Sequence, residues 1–336
     1  RFESRGLGDV YKRQPLNRSS SETEIQSKPI NRTFDNLTRF FESDIFYSFK
    51  KSPLTVFAFF VTLILFLSAL FANWLAPHQT LDVKTLDLMN AFYPPLWEEG
   101  SDSRFLLGTD DQGRDIFSAI MFGLRISLGV GFASVILSAA LGTVLGLISG
   151  YFGGKLDSFI MRVADIQLTF PAILIALLID GIVGSLLPKS VYNEVKIYVL
   201  VMAIAASQWV NFARTVRGST LVEKNKEYVQ AAKVIGIHPV GIMIKHVLPN
   251  VTGPVLVIAT LSLALAILTE ATLSFLGVGV PITQPSLGTL IRIGQQYLFS
   301  GEWWMTIFPS LALVILVLAV NLLGDWLRDA LNPKLR

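Results

Sequence analysis

The sequence predicts an all-α, polytopic membrane protein with six transmembrane helices. Its 336 residues are 52% hydrophobic and only 16% charged, whereas soluble domains carry about 25% charged residues. Long uncharged runs recur along the chain, and each approaches the roughly 20 residues that a helix needs to cross a bilayer. The sequence contains no cysteine, which excludes disulfides, zinc–thiolate sites and thiol nucleophiles.

The six uncharged or nearly uncharged runs are the predicted spans. The first follows Lys50 and Lys51 and ends with an Asn-Trp pair, as expected of a helix with an interfacial aromatic residue. A stripe of glycine at every fourth position in the second run, Gly142, Gly146 and Gly150, indicates either close helix packing or a chance spacing. The runs are residues 54–75, 126–149, 166–187, 197–213, 251–276 and 303–324.

The chain divides by composition into segments of different character. The first 14 residues share no pattern with the rest of the chain, and we expect a non-native read-through there. The next segment is polar and without hydrophobic periodicity, which predicts a disordered cytoplasmic tail. The expected division is 1–14 read-through, 15–40 tail, 41–76 the region of the first span, 77–124 an extracytoplasmic loop, 125–325 the transport domain and 326–336 a cytoplasmic tail.

The distribution of lysine and arginine orients the spans. Residues 76–124 hold three basic and eight acidic residues, whereas residues 214–246 hold six basic and two acidic residues. Cytoplasmic loops carry the excess of positive charge, so the second loop is predicted to face the cytoplasm. Six crossings then place both termini in the cytoplasm.

The most informative stretch of the chain lies in this basic loop. Residues 227–250 read EYVQAAKVIGIHPVGIMIKHVLPN. The pattern predicts a helix over 219–235, a turn at Gly236 and Pro239, and a second short helix over 240–248 that Pro249 ends. We expect Ala231, Ala232 and Gly236 to form a surface poor in side chains, on which a partner protein could seat.

This stretch resembles the coupling loop of ATP-binding-cassette (ABC) importer permeases. That loop reads Glu-Ala-Ala, three residues, Gly, nine residues, Ile, any residue, Leu-Pro, and here Gln replaces Glu and His replaces Ile. Tyr228 and the run from His246 to Asn250 are similar to the peptide-transport branch. The resemblance implies that the loop, 214–250, docks on an ATPase subunit. The residues it assigns to coupling are Glu227, Tyr228, Gln230, Ala231, Ala232, Gly236, His246, Leu248 and Pro249.

Three other segments resemble the same branch. They are LGTDDQGRD at 107–115, EATLSFLGVG at 270–279 and GDWLRDALNPKLR at 324–336. The resemblance extends from about residue 40 onward and is closest to the second permease subunit of dipeptide and oligopeptide importers. It implies a type I ABC importer permease core, preceded by one extra N-terminal helix, in the inner (cytoplasmic) membrane of a bacterium.

The same resemblance implies a set of partners. They are a homologous second permease, two ABC ATPase subunits and an extracytoplasmic substrate-binding protein, with membrane lipid around the spans. The sequence lacks a phosphate-binding loop, and its nearest look-alike at 153–156 lacks the required spacing and hydroxyl. We therefore expect a transport subunit that is not an enzyme and binds no cofactor or nucleic acid, with ATP and Mg on the partner ATPases.

Alternatives remain for the cargo and the class of transporter. Permeases for nickel, glutathione and other small solutes share these motifs, so peptide is one of several possible cargoes. A stand-alone secondary carrier would need ion-coupling residues and often shows inverted repeats, neither of which the sequence displays. The acidic and aromatic loop at 81–115 could receive a binding protein or be plain solvated surface.

Two carboxylates fall within or beside predicted spans. Glu270 either lines the translocation path or is a structural residue bonded to Thr269 or Thr272, because charge within a bilayer is costly. Asp180 is expected to be interfacial. Asp115 directly precedes an apolar run and is expected to cap a helix. The three histidines are too few and too scattered to predict a metal site.

Overall fold

The computed structural model describes residues 44–80, 86–281 and 283–330. Within these ranges the chain is helical and has no strand, which confirms the all-α prediction. The expected read-through, the expected tail at 15–40 and the last residues of the chain lie outside them. The helices are α1 Asp44–Lys51, α2 Pro53–Leu70, α3 Ala72–Leu75, α4 Ile116–Phe152, α5 Gly154–Leu168, α6 Ala172–Leu186, α7 Lys189–Glu223, α8 Glu227–Val234, α9 Pro239–Ile242, α10 Leu248–Phe275, α11 Leu287–Tyr297 and α12 Trp304–Ala330.

Five helices of the described chain are long and apolar enough to cross a membrane. They are α2, α4, α7, α12 and the continuous helical stretch Pro239–Phe275 that ends with α10. A sixth crossing is obtained if α5 and α6, which meet at an angle of 94°, count as one broken span. Five or six candidate spans therefore correspond to the six predicted from the uncharged runs.

The third predicted span, 166–187, is wrong as a single straight helix. It contains the end of α5, a break at residues 169–171 and then α6. Pro171 has no backbone N–H and disfavours helical geometry in the residue before it, which favours a break in the helix at this point. The hydroxyl of Thr169 donates instead to the carbonyl oxygen of Ile166, at 2.6 Å.

The glycine stripe of α4 is the contact surface for α7. A Cβ atom at Gly142 would lie 2.5 Å from the carbonyl oxygen of Trp209, and one at Gly146 would lie 2.5 Å from that of Ala213. At Gly150 the carbonyl oxygen of Arg217 would be 2.9 Å away. Only glycine permits this approach, so the packing interpretation of the stripe is confirmed over chance.

Helix α2 is fastened to the rest of the bundle at its C-terminal end. The guanidinium of Arg125, on α4, donates to the carbonyl oxygens of Ala69 at 2.8 Å and Leu70 at 3.2 Å, and to the side chain of Asn73 at 3.1 Å. The last carbonyls of a helix have no partner within the helix, and a cation there also complements the helix dipole. Arg125 therefore caps α2 from a neighbouring helix.

The segment between α3 and α4 folds back against α12. The side chain of Asp115 accepts a hydrogen bond from the backbone N–H of Ser118 at 3.0 Å, which confirms the predicted cap of α4. The indole N–H of Trp304 donates to the carbonyl oxygen of Thr109 at 3.1 Å, and that of Trp303 donates to Glu98 at 3.1 Å. Two tryptophans thus join this segment to the start of α12.

Asp110 is a buried carboxyl within this segment. Its Oδ1 accepts backbone hydrogen bonds from Gln112 at 2.9 Å and Arg114 at 2.8 Å, whereas its buried Oδ2 has no hydrogen-bond partner. Burial raises the pKa of Asp110 to about 6, and the hydrogen bond and positive charge of Arg114 offset only part of that rise.

We predict that Asp110→Asn removes a pH dependence of stability. The folded pKa lies above the unfolded value, so the contribution of wild-type Asp110 is fully present below about pH 4 and is lost as pH rises through about 6. Asn keeps the Oδ1 acceptor and cannot ionise. Melting temperatures of the purified variant and wild type should therefore agree near pH 4 and favour the variant above pH 6. An equal difference at every pH would contradict this assignment.

Candidate coupling site

The predicted coupling loop, 214–250, is a compact structure of short helices. Helix α7 continues to Glu223, so the loop begins as the end of a long helix and then breaks before α8. The predicted single helix over 219–235 is therefore wrong, since residues 224–226 interrupt it. The predicted stop at Pro249 is also wrong, because one turn of π-helix, Met243–Val247, leads directly into α10.

The position of Pro249 explains why the helix continues. Pro249 lies in the first turn of α10, directly after the π-helical turn Met243–Val247. The π-helical turn before it widens the hydrogen-bond spacing by one residue, which is a common way to absorb an irregularity. The loop is thereby continuous with a spanning helix.

Helix α8 packs on the bundle through one face. Val229 and Ala232, one turn apart, are buried with Val216 of α7, Val247 of the π-helical turn and Val251 of α10. Ala232 is only 3% exposed, so it faces inward and is not part of an outer surface. Ala231 and Gly236 do lie on the outside.

The outer side of the loop presents apolar side chains. Val234 is 87% exposed and Ile235 is 78% exposed, and Val240 across the turn is exposed as well. We call residues 234–240 the exposed turn. Exposed apolar groups that cluster together mark surfaces that bind another molecule. Sequence reasoning missed Val234 and Ile235, although two apolar residues directly before a glycine were a signal that could have identified them.

Gly236 gives the exposed turn its shape. Its φ angle is +85°, in the left-handed region, and a Cβ there would have no neighbour within 4 Å. The Gly236 N–H donates to the carbonyl oxygen of Lys233 at 3.0 Å, and the Ile237 N–H donates to that of Ala232 at 3.1 Å. These two bonds form the Schellman motif that ends helices at glycine. Backbone conformation, not crowding, therefore requires glycine here.

A polar clamp closes the two ends of the loop on each other. The Tyr228 hydroxyl donates to the Glu223 carboxylate at the end of α7. The side-chain amide of Asn250 donates to the Tyr228 oxygen at 3.0 Å and to the His246 carbonyl at 2.8 Å. Desolvation and the bond to Glu223 raise the pKa of Tyr228 to about 12, so the phenol keeps its proton at neutral pH. Lys226 pairs with Glu223 at 2.8 Å.

The residue that departs from the first triplet of the family pattern has a role in the loop. The side-chain amide of Gln230 donates to the carbonyl oxygen of Lys224 at 2.9 Å, a bond that an ionised glutamate could not donate. Lys224 in turn donates to the carbonyl oxygen of Gly150 at 2.7 Å, at the end of α4. The loop is thus tied to α4 as well as to α7 and α10.

Glu270 is buried within the chain and holds helices together. It is 0% exposed, and its two carboxylate oxygens accept hydrogen bonds at 2.7 Å from Ser127 of α4 and Ser274 of α10. The hydroxyls of Thr269 and Thr272 donate to backbone carbonyls of their own helix. Glu270 therefore has a structural role, but its hydrogen-bond partners are Ser127 and Ser274 and not the expected Thr269 or Thr272.

The remaining candidates have local roles. Asp180 accepts a hydrogen bond from the Tyr192 hydroxyl at 2.5 Å. The ring of His238 accepts one from the Val240 N–H at 3.3 Å, as a turn residue would. Among the described residues, no three His, Cys, Asp or Glu side chains are placed to hold a metal ion.

Comparison with known families agrees with this architecture. Residues 142–336 match the family of binding-protein-dependent transport system inner membrane components. Residues 41–95 match the N-terminal TM domain of oligopeptide transport permease C. The chain is therefore the membrane-spanning permease subunit of an ABC importer. Within that class it belongs to the family of dipeptide and oligopeptide permeases.

Individual relatives extend over nearly the same length. The dipeptide transport system permease protein DppC of Haemophilus influenzae is 40% identical over 87% of this chain and 95% of its own length. The glutathione transport system permease protein GsiD of Pectobacterium atrosepticum is 37% identical over 86% of this chain and 89% of its own. An inward-facing structure of the MetNI methionine ABC transporter matches 64% of this chain and 96% of its own, with a TM-score of 0.51 at 20% identity, which supports the fold.

We predict that Gly236→Ala loosens the exposed turn while Gly236→Asn preserves it. Alanine in the left-handed region costs about 1–2 kcal/mol, whereas asparagine adopts it readily. Amide hydrogen exchange at residues 227–250 should therefore rise roughly tenfold in the alanine variant and change little in the asparagine variant. Equal exchange in the two variants would mean that φ at Gly236 does not control the turn.

Proposed function

We propose that this permease couples ATP hydrolysis by two separate ABC ATPase subunits to the import of peptides. The observation that carries the proposal is the exposed turn, an apolar surface held at the end of a clamped helix. Val234 and Ile235 offer area for a partner to bury, while the buried face of α8 is already packed on the bundle. Because the chain belongs to this family, we expect the exposed turn to bind in a groove on an ATPase subunit.

The internal bonds of the loop suit it to transmit movement. Tyr228 joins the end of α7 to the first turn of α10, and Lys224 joins the loop to α4. A displacement of α8 therefore acts on three spanning helices together and does not dissipate in a flexible connection. Binding and hydrolysis of ATP on the partners would shift the population between outward-open and inward-open states through their different affinities for the two loop positions.

The surrounding assembly follows from the same proposal. A homologous second permease would complete the translocation path, and an extracytoplasmic binding protein would deliver the cargo. The positive charge of loop 214–250 supports a cytoplasmic position for it and for both termini, in the inner membrane of a bacterium. We retain 125–325 as the transport domain. We assign Glu270 to holding α4 and α10 together and not to the path, because its carboxylate is fully buried.

The assignment of the cargo rests on relatives. The relative named as a dipeptide permease supports short peptides, and the one named as a glutathione permease makes that tripeptide the second candidate. Both cargoes carry an α-amino group, a carboxylate and an amide, but glutathione joins its first two residues through a side-chain carboxyl group. A site shaped for dipeptides would therefore bind glutathione less tightly.

We expect Ile235→Asp to abolish coupling and Ile235→Val to leave it nearly intact. Residue 235 is exposed, so neither change should affect folding, but aspartate would place a charge in the apolar contact with the ATPase. The measurement is ATP-dependent uptake of a labelled dipeptide by proteoliposomes that contain the complete complex. Normal uptake by the aspartate variant, or uptake by this chain without ATPase subunits, would contradict the proposal.

Competition in the same vesicles separates the two cargoes. Excess unlabelled dipeptide should suppress uptake of labelled dipeptide at least tenfold more effectively than glutathione does. Strong ATP-dependent uptake of glutathione beside weak uptake of dipeptide would replace the first candidate with the second. Robust transport of a solute that is not a peptide would overturn both.

A further inference from the structure

A groove runs between helix α2 and the main bundle. Two adjoining voids, of about 180 Å³ and 270 Å³, open between α2, α4, α10 and α12. Their shared lining is apolar apart from one hydroxyl. The residues that line both voids are Phe59, Thr62, Leu263, Val320 and Leu323.

The surroundings of the groove favour a hydrocarbon occupant. Only 17% of the α2 span is buried, so the groove lies where this helix meets the bilayer. An apolar cavity of roughly 150 Å³ already accepts a benzene-sized hydrocarbon, whereas an ordered water needs two to four polar partners. Phe59 and Phe66, both partly exposed, flank the opening on the α2 side. An acyl chain can therefore enter from the membrane.

One end of the groove has an unmet hydrogen-bond donor. The indole nitrogen Nε1 of Trp326, which lines the larger void, is buried and has no partner. An indole N–H can only donate, and this ring is packed 5.2 Å from the ring of Phe49. The hydroxyl oxygen of Thr62 is also without a partner, but it can rotate toward a carbonyl of its own helix. Trp326 therefore requires an acceptor beside the hydrocarbon.

The mouth of the groove near Trp326 carries charges of both signs. Phe49, beside the Trp326 ring, directly precedes Lys50 and Lys51. Arg328 and Asp329 lie in the last turn of α12, and Asp325 lies in the turn before it. The cations suit a phosphate group, and the mixture of signs does not select one headgroup over another.

We propose that a glycerophospholipid binds in this groove as a structural ligand. One acyl chain fills the voids between α2, α4, α10 and α12, and an ester carbonyl oxygen accepts the hydrogen bond from Trp326. The lipid fastens the end of α2 that Arg125 does not reach. The site is independent of the cargo. With the orientation proposed above, the lipid would lie in the cytoplasmic leaflet.

A substitution that fills the groove tests the site. Leu323→Trp adds bulk within both voids, whereas Leu318→Trp, a 57% exposed position on the same helix, adds it outside them. The complete complex is washed extensively in detergent, and its phospholipids are counted by native mass spectrometry. Wild type and Leu318→Trp should each retain one phospholipid more than Leu323→Trp. Equal retention in all three would overturn the proposal.

A second variant guards against misfolding of the first. Trp326→Phe keeps an aromatic ring and removes only the N–H, so the bound lipid should wash away at lower detergent exposure than in wild type. If this variant retains the lipid as well as wild type does, Trp326 does not bind the ester carbonyl oxygen. A structure of the complex with a helix of the second permease in the groove would overturn the whole site. Lipid counts do not depend on uptake, so failure of the peptide assay would leave this test standing.

Discussion

The close contact between α4 and α7 is the interaction on which the rest of the structure depends. Lipid offers no hydrophobic drive for two helices to associate, so their backbones must approach closely enough to gain from packing. Gly142, Gly146 and Gly150 permit this, and the carbonyl oxygens of α7 occupy the space that side chains would take. Because the stripe extends nearly to the end of α4, it holds α7 as far as Arg217, within the first residues of loop 214–250.

The polar bonds at that end depend on the same approach. Arg217 of α7 makes two hydrogen bonds to Asp157 of α5, at 2.6 Å and 2.7 Å, and Ser149 of α4 donates to the same carboxylate. Lys224 reaches the Gly150 carbonyl only because α7 lies directly against α4. A side chain at any of the three glycines would separate these partners, so packing and polar satisfaction are coupled here.

The sequence predicts the composition-driven features well and the three-dimensional ones less well. Uncharged runs identify the spans because crossing a bilayer demands length and apolarity, and Asp115 identifies its helix start because a cap is local. Pro171 lies within the run 166–187, but the hydrophobicity of the run alone does not indicate that the helix bends there. Whether Ala232 faces in or out, and whether Ser127 meets Glu270, depends on neighbours distant in sequence. No periodicity in a single helix encodes those contacts.

Loop 214–250 has one side that is packed on the bundle and one side that is exposed. The buried face of α8 and the clamp at Tyr228 make the loop part of the bundle, whereas the exposed turn makes nearly no contact with it. The exposed turn is therefore linked to α7 and α10 through the packed face of α8 and the hydrogen bonds of Tyr228. The exposed apolar side chains of the turn lower the solubility of the free subunit, and burial against a partner would remove this effect. The loop is thus packed on the bundle through one side and presents an apolar surface on the other.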